Sequence, residues 1–195
     1  ALACIIWALG QPVSSDMVST RVGYVAPTLD LPDGQRVTSP AAAAGVRVGD
    51  VIRRVDGTLV REWSDIQNSL VLGSGRSSNG DPEVVIDLER DGRPLQLKVT
   101  PRLAGEEKVR RVGIGPGFEL IVQAVAAGSP AAQAGFQAED EILTLDGASM
   151  INDSAFRLAL EASAARESKA TVRRAGAVRE LTLAPRENDK KSPFI

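Results

Sequence analysis

The sequence predicts an α+β fold that is rich in strands and built as two tandem units. A phrase at 37–57, VTSPAAAAGVRVGDVIRRVDG, returns at 126–147 as AAGSPAAQAGFQAEDEILTLDG. A later pair of segments also matches, LERDGRPLQLKVTPR at 88–102 and VRRAGAVRELTLAPR at 172–186. The chain has 195 residues, 43% of them hydrophobic and 25% charged, which suffices for two small cores in a soluble protein. Two copies are too few for a solenoid, so we interpret each copy as a domain.

Each repeated phrase opens with a short helix. The letters Ser-Pro-Ala-Ala begin it in both copies, and a glycine closes the alanine run. Serine is a good N-cap, proline suits the first helical position, and glycine can end a helix in the left-handed conformation. We therefore expect short capped helices that begin after Ser39 and Ser129.

A strand, a second helix and a hairpin complete each unit. DVIRRVDG and DEILTLDG predict strands that end at Asp-Gly turns. The second helix carries Ile66 and Leu70 four residues apart in the first copy, and Phe156 and Leu160 in the second. The shift between copies then falls from 90 to 84 residues, so the first copy holds six more. The polar glycine-serine stretch 73–82 is the natural place for them.

Composition excludes several classes of function. The chain has 23 basic and 25 acidic residues and only 4% aromatics, which argues against nucleic acid as a partner. It has no histidine, so it contains no histidine-based triad and no histidine zinc site. Its one cysteine, Cys4, cannot form an internal disulfide. We expect no catalytic and no metal-binding residues in this chain.

The N-terminal stretch ALACIIWALG carries no charge. A membrane-spanning helix needs about 20 apolar residues, so this stretch is too short to span a bilayer. It fits the end of a membrane helix with Trp7 at the interface, and equally a buried N-terminal element of a soluble fold. Both interpretations stay open.

The two phrases SPAAAAGVRVGDVIRRVDG and SPAAQAGFQAEDEILTLDG resemble the pattern of bacterial PDZ domains. The resemblance implies two tandem, partly open β-barrels with two helices each, at 21–104 and 105–188. Residues 1–20 are then an N-terminal extension or the end of a transmembrane segment, and 189–195 are a linker.

PDZ domains bind the end of a peptide by strand addition, with backbone N–H groups of an apolar-Gly-apolar loop holding the carboxylate. An ungapped shift of 90 places Arg21-Val22-Gly23-Tyr24 on Arg111-Val112-Gly113-Ile114. The second helix of each unit forms the other wall of the groove, although plain core packing also explains its apolar residues. The resemblance thus implies these peptide-binding residues: Val22, Gly23, Tyr24, Ile66, Leu70, Arg111, Val112, Gly113, Ile114, Phe156 and Leu160.

Some residues depart from the family pattern. Pro27 and Pro32 follow the first loop and Pro116 follows the second, and proline cannot donate a hydrogen bond to an added strand. We expect these prolines to weaken peptide binding, most of all in the first copy. Glu139 stands where the first copy has Gly49, which would cost on the order of 1 kcal/mol if that position requires a positive φ.

The apolar start followed by a PDZ pair resembles site-2 intramembrane zinc metalloproteases of the regulator-of-sigma-E type. The resemblance implies a bacterial inner-membrane protein with this portion on the periplasmic side, and zinc in the parent protease but no cofactor in this chain. The partners would be a protein substrate or its C-terminal peptide, and the membrane through flanking segments. The module would gate substrates during regulated intramembrane proteolysis, either by binding a new chain end or by excluding large ectodomains. The prolines favour the size filter, with weak or conditional binding in the second copy.

Two alternatives belong to other classes. One is a peptide-binding PDZ pair of a periplasmic serine protease of the high-temperature-requirement type, and the other is a non-enzymatic scaffold. The parent gene distinguishes them, because an upstream His-Glu-x-x-His in an apolar helix indicates the metalloprotease. An upstream Gly-x-Ser-x-Gly with His and Asp indicates the serine protease.

Overall fold

The computed structural model describes residues 19–105, 107–163 and 166–184. The N-terminal apolar run and the expected linker at 189–195 lie outside these ranges. In the described ranges the chain forms fifteen strands and four helices, which confirms the expected α+β class.

The elements of the first half run in this order: β1 (Val22–Val25), β2 (Thr28–Asp30), β3 (Arg36–Thr38), α1 (Pro40–Ala43), β4 (Val51–Val55), β5 (Thr58–Leu59), α2 (Trp63–Leu72), β6 (Val84–Arg90), β7 (Arg93–Val99), β8 (Arg102–Ala104), β9 (Val109–Arg111) and β10 (Ile114–Pro116). The second half follows: β11 (Leu120–Ile121), α3 (Pro130–Ala134), β12 (Glu141–Leu145), β13 (Ala148–Ser149), α4 (Asp153–Ala162), β14 (Ser168–Arg174) and β15 (Ala177–Leu183).

The two halves repeat one antiparallel sheet. Its order is β5-β4-β6-β7 in the first half and β11-β12-β14-β15 in the second, where β13 also pairs with β12. The register shifts at the same place in both, between Ile52 and Arg54 and between Ile142 and Thr144. The sheets are open and do not close into a barrel.

The local signals predicted from the sequence form as expected. The Oγ atoms of Ser39 and Ser129 each accept a hydrogen bond of 3.1 Å from the backbone N–H three residues later. Gly135 ends α3 with φ 87°. The Asp56-Gly57 turn has φ 49° and 77°, which is the left-handed pair that a two-residue hairpin turn requires.

Each half has its own hydrophobic core. In the first, Ile66 and Leu70 of α2 are 0% and 7% exposed, and in the second Phe156 and Leu160 of α4 are both 4% exposed. These four helix residues therefore pack in the cores. The first core also contains Val112, which lies beyond the expected boundary between residues 104 and 105.

The strands that precede the first helix of each unit, β1 and β11, show where the ungapped alignment fails. Val22 exchanges two backbone hydrogen bonds of 2.7 Å with Gly49-Asp50, and Val122 makes the same two, at 2.8 Å, with Glu139-Asp140. Val22 therefore corresponds to Val122, at a shift of 100. The hairpin β2–β3 occupies the extra residues of the first copy, so Val22 and Val112 are not equivalent.

A buried ion pair recurs in both units. Arg90 binds Asp50 through two hydrogen bonds of 2.8 Å, and Arg174 binds Asp140 through two of 2.6 Å. Each arginine also donates to the backbone carbonyl of the glycine that ends the first helix. The Arg174 guanidinium lowers the pKa of Asp140, against the opposing effect of burial. The pair thus fixes the helix end and the Gly/Glu-Asp turn to the sheet.

Candidate peptide-binding clefts

The first cleft lies between α2 and the chain at 109–114 and has a volume of about 380 Å³. Helix α2 contributes Gln67, Leu70 and Val71 to its wall. The opposite wall contains Val112, Gly113 and Ile114, which the sequence assigned to the second copy. The structure therefore brings the second predicted loop to the helix of the first unit.

The loop at Val112–Ile114 is anchored through its carbonyl groups. Val112 O accepts a hydrogen bond from Ala41 N, and Gly113 O accepts one from Ala26 N, both at 2.8 Å. Gly113 has φ 85°, and a Cβ atom there would lie 2.8 Å from Ser39 Cβ, so this position requires glycine. Among the residues that the structure describes, neither the Val112 nor the Gly113 N–H donates to an acceptor. The loop therefore has two backbone N–H groups without an acceptor in the described part of the chain.

A positive charge lies beside this loop. Arg110 lines the first cleft, and its Nε and Nη2 atoms are buried without a hydrogen-bond partner in the described part of the chain. Arg111 also lines the cleft, but its guanidinium lies 3.5 Å from the Glu107 carboxylate. Leaving a guanidinium buried and unpaired is costly, and an anionic ligand would relieve that cost. Arg110 is therefore the stronger candidate for an anion contact.

Val22 and Gly23 do not lie at a cleft. Val22 is 0% exposed in the first core. Gly23 lies in β1, which pairs with β10, and a Cβ atom at Gly23 would lie 2.3 Å from Pro116 O. Their expected role as a carboxylate loop is corrected, because this segment is a covered strand. Tyr24, the third member of the expected loop, does line the first cleft.

Pro27 and Pro32 do not interrupt the strand beside the predicted peptide-binding loop, contrary to the expectation from the sequence. Pro27 precedes β2 and Pro32 lies between β2 and β3, so neither belongs to the strand beside the loop. Pro116 ends β10 opposite Val22. The expected weakening of the first groove by Pro27 and Pro32 therefore has no structural basis.

The second cleft has a volume of about 580 Å³ and an open edge. Helix α4 contributes Phe156, Arg157 and Leu160, and the chain at 120–124 forms the opposite wall. Strand β11 pairs with β12 on one side only within the described ranges. The equivalent edge in the first unit, β1, is covered by β10. The second cleft therefore has a helix wall and, within the described ranges, an unpaired strand edge, and none of its lining residues is a glycine.

The two clefts lie close to each other. Burial raises the pKa of Tyr24 in the first cleft, and the positive charge of Arg157 in the second partly offsets this effect. Gln67 and Val71 of the first cleft were not predicted as lining residues. Gln67 and Val71 lie four residues apart on α2, each next to a buried residue of that helix. This helical spacing was the signal from which Val71 could have been predicted.

The described residues offer no site for zinc. They contain no group of three side chains able to hold a metal ion, and the whole chain lacks histidine. Zinc therefore does not fit this part of the protein. No described helix has the length and apolar character needed to cross a membrane.

Comparison with known proteins places the fold in a family. Residues 35–79 and 103–184 each match a PDZ domain family. A putative zinc metalloprotease of Treponema pallidum is 35% identical over 109 residues, covering 56% of this chain and 23% of that protein. The regulator of sigma-E protease RseP of Salmonella typhimurium is 27% identical over 157 residues, covering 75% and 34%. The periplasmic pH-dependent serine endoprotease DegQ of Escherichia coli is 27% identical over 120 residues, covering 54% and 25%.

The chain spans between 23% and 34% of the length of these relatives. One matched segment lies within each of the two repeated units, and the similarity to the regulator of sigma-E protease extends over three quarters of the chain. The chain therefore belongs to the PDZ family, as a tandem pair related to that of site-2 proteases of the regulator-of-sigma-E type.

Proposed function

We propose that this PDZ pair is the periplasmic substrate-recognition module of a zinc metalloprotease embedded in the inner membrane. It selects substrates for regulated intramembrane proteolysis and performs no chemistry itself. Two kinds of evidence support this role: the similarity of the chain to metalloproteases and the geometry of the first cleft. The single observation that carries it is the Val112–Gly113 pair of unpaired amides beside Arg110.

The first cleft suits a free chain terminus. A carboxylate can accept hydrogen bonds from two backbone N–H groups and still approach a guanidinium. Leu70 and Val71 provide an apolar wall beside the loop for the last side chain. A protein cut by an earlier protease exposes a new end of this kind. Recognition by the first cleft would thus restrict the parent protease to shortened substrates.

The second cleft contributes differently in this proposal. Its described lining contains neither the Val112–Gly113 amides nor Arg110, and one edge of its strand is open. Exclusion of bulky ectodomains by the paired domains remains compatible with this arrangement. We therefore assign end recognition to the first cleft and steric filtering to the pair.

The test uses the chain 1–195 and a nine-residue peptide that ends in valine with a free carboxylate. Titration followed by NMR should shift the amide signals of Val112 and Gly113. The same peptide with an amidated end should bind at least about tenfold more weakly, since a charge-assisted hydrogen bond is worth about 1.5–3 kcal/mol. Equal binding of both peptides, or no binding of either, would reject end recognition and leave exclusion by size.

Two neighbouring residues provide a matched pair of variants. Val71 is 44% exposed and lines the first cleft, whereas Leu72 is 79% exposed and faces a different surface. Val71→Asp places a carboxylate beside that of the peptide and should abolish binding. Leu72→Asp should leave binding unchanged, and a similar loss in both variants would contradict the assignment of the cleft.

A serine-protease module remains the second candidate, because DegQ matches half of the chain. The parent gene decides between them. An upstream His-Glu-x-x-His motif supports the metalloprotease, and a Gly-x-Ser-x-Gly motif supports the serine protease.

A further inference from the structure

We infer that Asn152 is a positioning residue that holds the loop strand of the first cleft against the helix of the second, so that the two clefts keep one relative arrangement. The inference deepens the proposed function, because it concerns what positions β10, the strand that continues from the Val112–Ile114 loop. It also makes a claim about domain arrangement that stands without any peptide.

Asn152 uses both ends of its amide. Its Oδ1 accepts hydrogen bonds from Ser154 N at 2.9 Å and Ala155 N at 3.2 Å, which caps the N-terminus of α4. Its Nδ2 donates to Pro116 O at 2.8 Å, at the end of β10. One side chain therefore connects the helix wall of the second cleft to the strand that continues from the Val112–Ile114 loop.

The contact around Asn152 is tight and desolvated. Asn152 is 4% exposed. Phe118 N donates to Ile151 O at 2.8 Å, and Gly117 N donates to Arg21 O at 2.7 Å. Because Gly23 has no side chain, β1 approaches Pro116, Gly117 and Ile151 more closely than any Cβ atom would allow. The end of β10 is thus enclosed by β1 on one side and by the start of α4 on the other.

The corresponding helix of the first unit, α2, shows that the fold does not require its cap residue to bind a neighbouring strand. The residue at that cap is Glu62, which is exposed to solvent. A helix cap alone would be served as well by Asp or Ser as by Asn. An ionised Asp has no proton to donate to the Pro116 carbonyl, whereas the Asn152 amide caps α4 with its oxygen and donates with its nitrogen. The buried amide therefore has a role that capping does not explain.

The test substitutes Asn152→Asp in the chain 1–195. Asp keeps the cap acceptor but turns a carboxylate oxygen toward Pro116 O in place of a donor. Residual dipolar couplings measured by NMR should show that the two units of the variant no longer share one alignment tensor. The affinity of the first cleft for the free-carboxylate peptide should fall about fivefold or more, as expected for coupling between two sites.

Ser163→Ala provides the matched control. Ser163 is 6% exposed at the other end of α4, and its hydroxyl donates to Leu160 O at 2.7 Å, far along the helix from Pro116. This variant perturbs the same helix and should keep the common alignment tensor and the peptide affinity of the parent chain.

The two readouts separate this inference from the proposed function. If no peptide binds the parent chain, the proposed function fails, but the dipolar couplings still test the link. If Asn152→Asp keeps a single alignment tensor, or if Ser163→Ala disturbs the couplings as much, the positioning role is rejected. If the units of Asn152→Asp no longer share one alignment tensor but the peptide affinity is unchanged, the Asn152–Pro116 hydrogen bond does not influence the first cleft.

Discussion

Removal of the guanidinium from the Asp140–Arg174 pair should strongly destabilise the second unit. The Asp140 side chain is 0% exposed and that of Arg174 17%, and two hydrogen bonds of 2.6 Å join them. Arg174→Met keeps most of the apolar stem but leaves the carboxylate with one backbone donor, Gln137 N at 2.9 Å. Leaving a buried acceptor unpaired costs about 1–3 kcal/mol, so we expect a loss of that size.

A surface pair provides the comparison. Arg36 and Asp30 are 69% and 67% exposed and also form a salt bridge, at 2.8 Å. Exposed pairs contribute little to stability, so Arg36→Met should hardly change it. Urea unfolding followed residue by residue through amide hydrogen exchange gives the free energy for each unit separately. A loss below about 1 kcal/mol in Arg174→Met, or equal losses in both variants, would refute the argument.

The same pair predicts a dependence on pH. The pKa of Asp140 is lowered in the folded chain, so its contribution is complete above its unfolded pKa of about 3.9. This contribution is lost as the pH falls through the lower folded pKa. The difference in stability between the parent chain and Arg174→Met should therefore shrink on acidification. A difference that stays constant down to pH 2 would show that the charge of Asp140 is not its source.

Two further predictions concern backbone conformation. Gly113→Ala combines φ 85° with a contact of 2.8 Å to Ser39 Cβ, so thermal unfolding should show a loss of about 1–3 kcal/mol, and an unchanged midpoint would contradict it. Glu139 has φ 68° where Gly49 has 95°, so Glu139→Gly should raise stability by up to about 1 kcal/mol and Gly49→Ala should lower it by a similar amount. Urea midpoints that move in the same direction in these two variants would contradict the strain at residue 139.

Local chemistry explains which parts of the fold could be predicted from the sequence. The Ser-Pro caps and the Asp-Gly turns depend on groups within four residues of each other, so the repeated letters sufficed to predict them. The buried pairs were also within reach, since Asp50 and Asp140 repeat at one shift and Arg90 and Arg174 at the other.

Which of the two units the Val112–Ile114 loop packs against could not be predicted in the same way. An apolar-Gly-apolar triplet is short enough to recur by chance. Val22-Gly23-Tyr24 and Val112-Gly113-Ile114 happen to lie 90 residues apart, which is also the offset between the repeated helix phrases. What distinguishes them is a long-range choice: Val22 packs as a core strand, whereas the loop returns to the first core after β8 and β9. Pairing between strands so far apart in sequence leaves no local pattern.

The return of the chain to the first core predicts where the first unit can be cut. A chain ending at Ala104, the boundary expected from the repeat, loses Val112 from the core and leaves β1 without β10. Burial of one valine is worth about 1.5–3 kcal/mol, and the uncovered strand edge adds to the loss. A chain ending at Gly117 keeps both. Circular dichroism and heteronuclear NMR should find residues 19–117 folded and 19–104 much less stable. Equal stability of the two pieces would show that Val112 and β10 are not part of the first domain, and the assignment of the first cleft would fail with them.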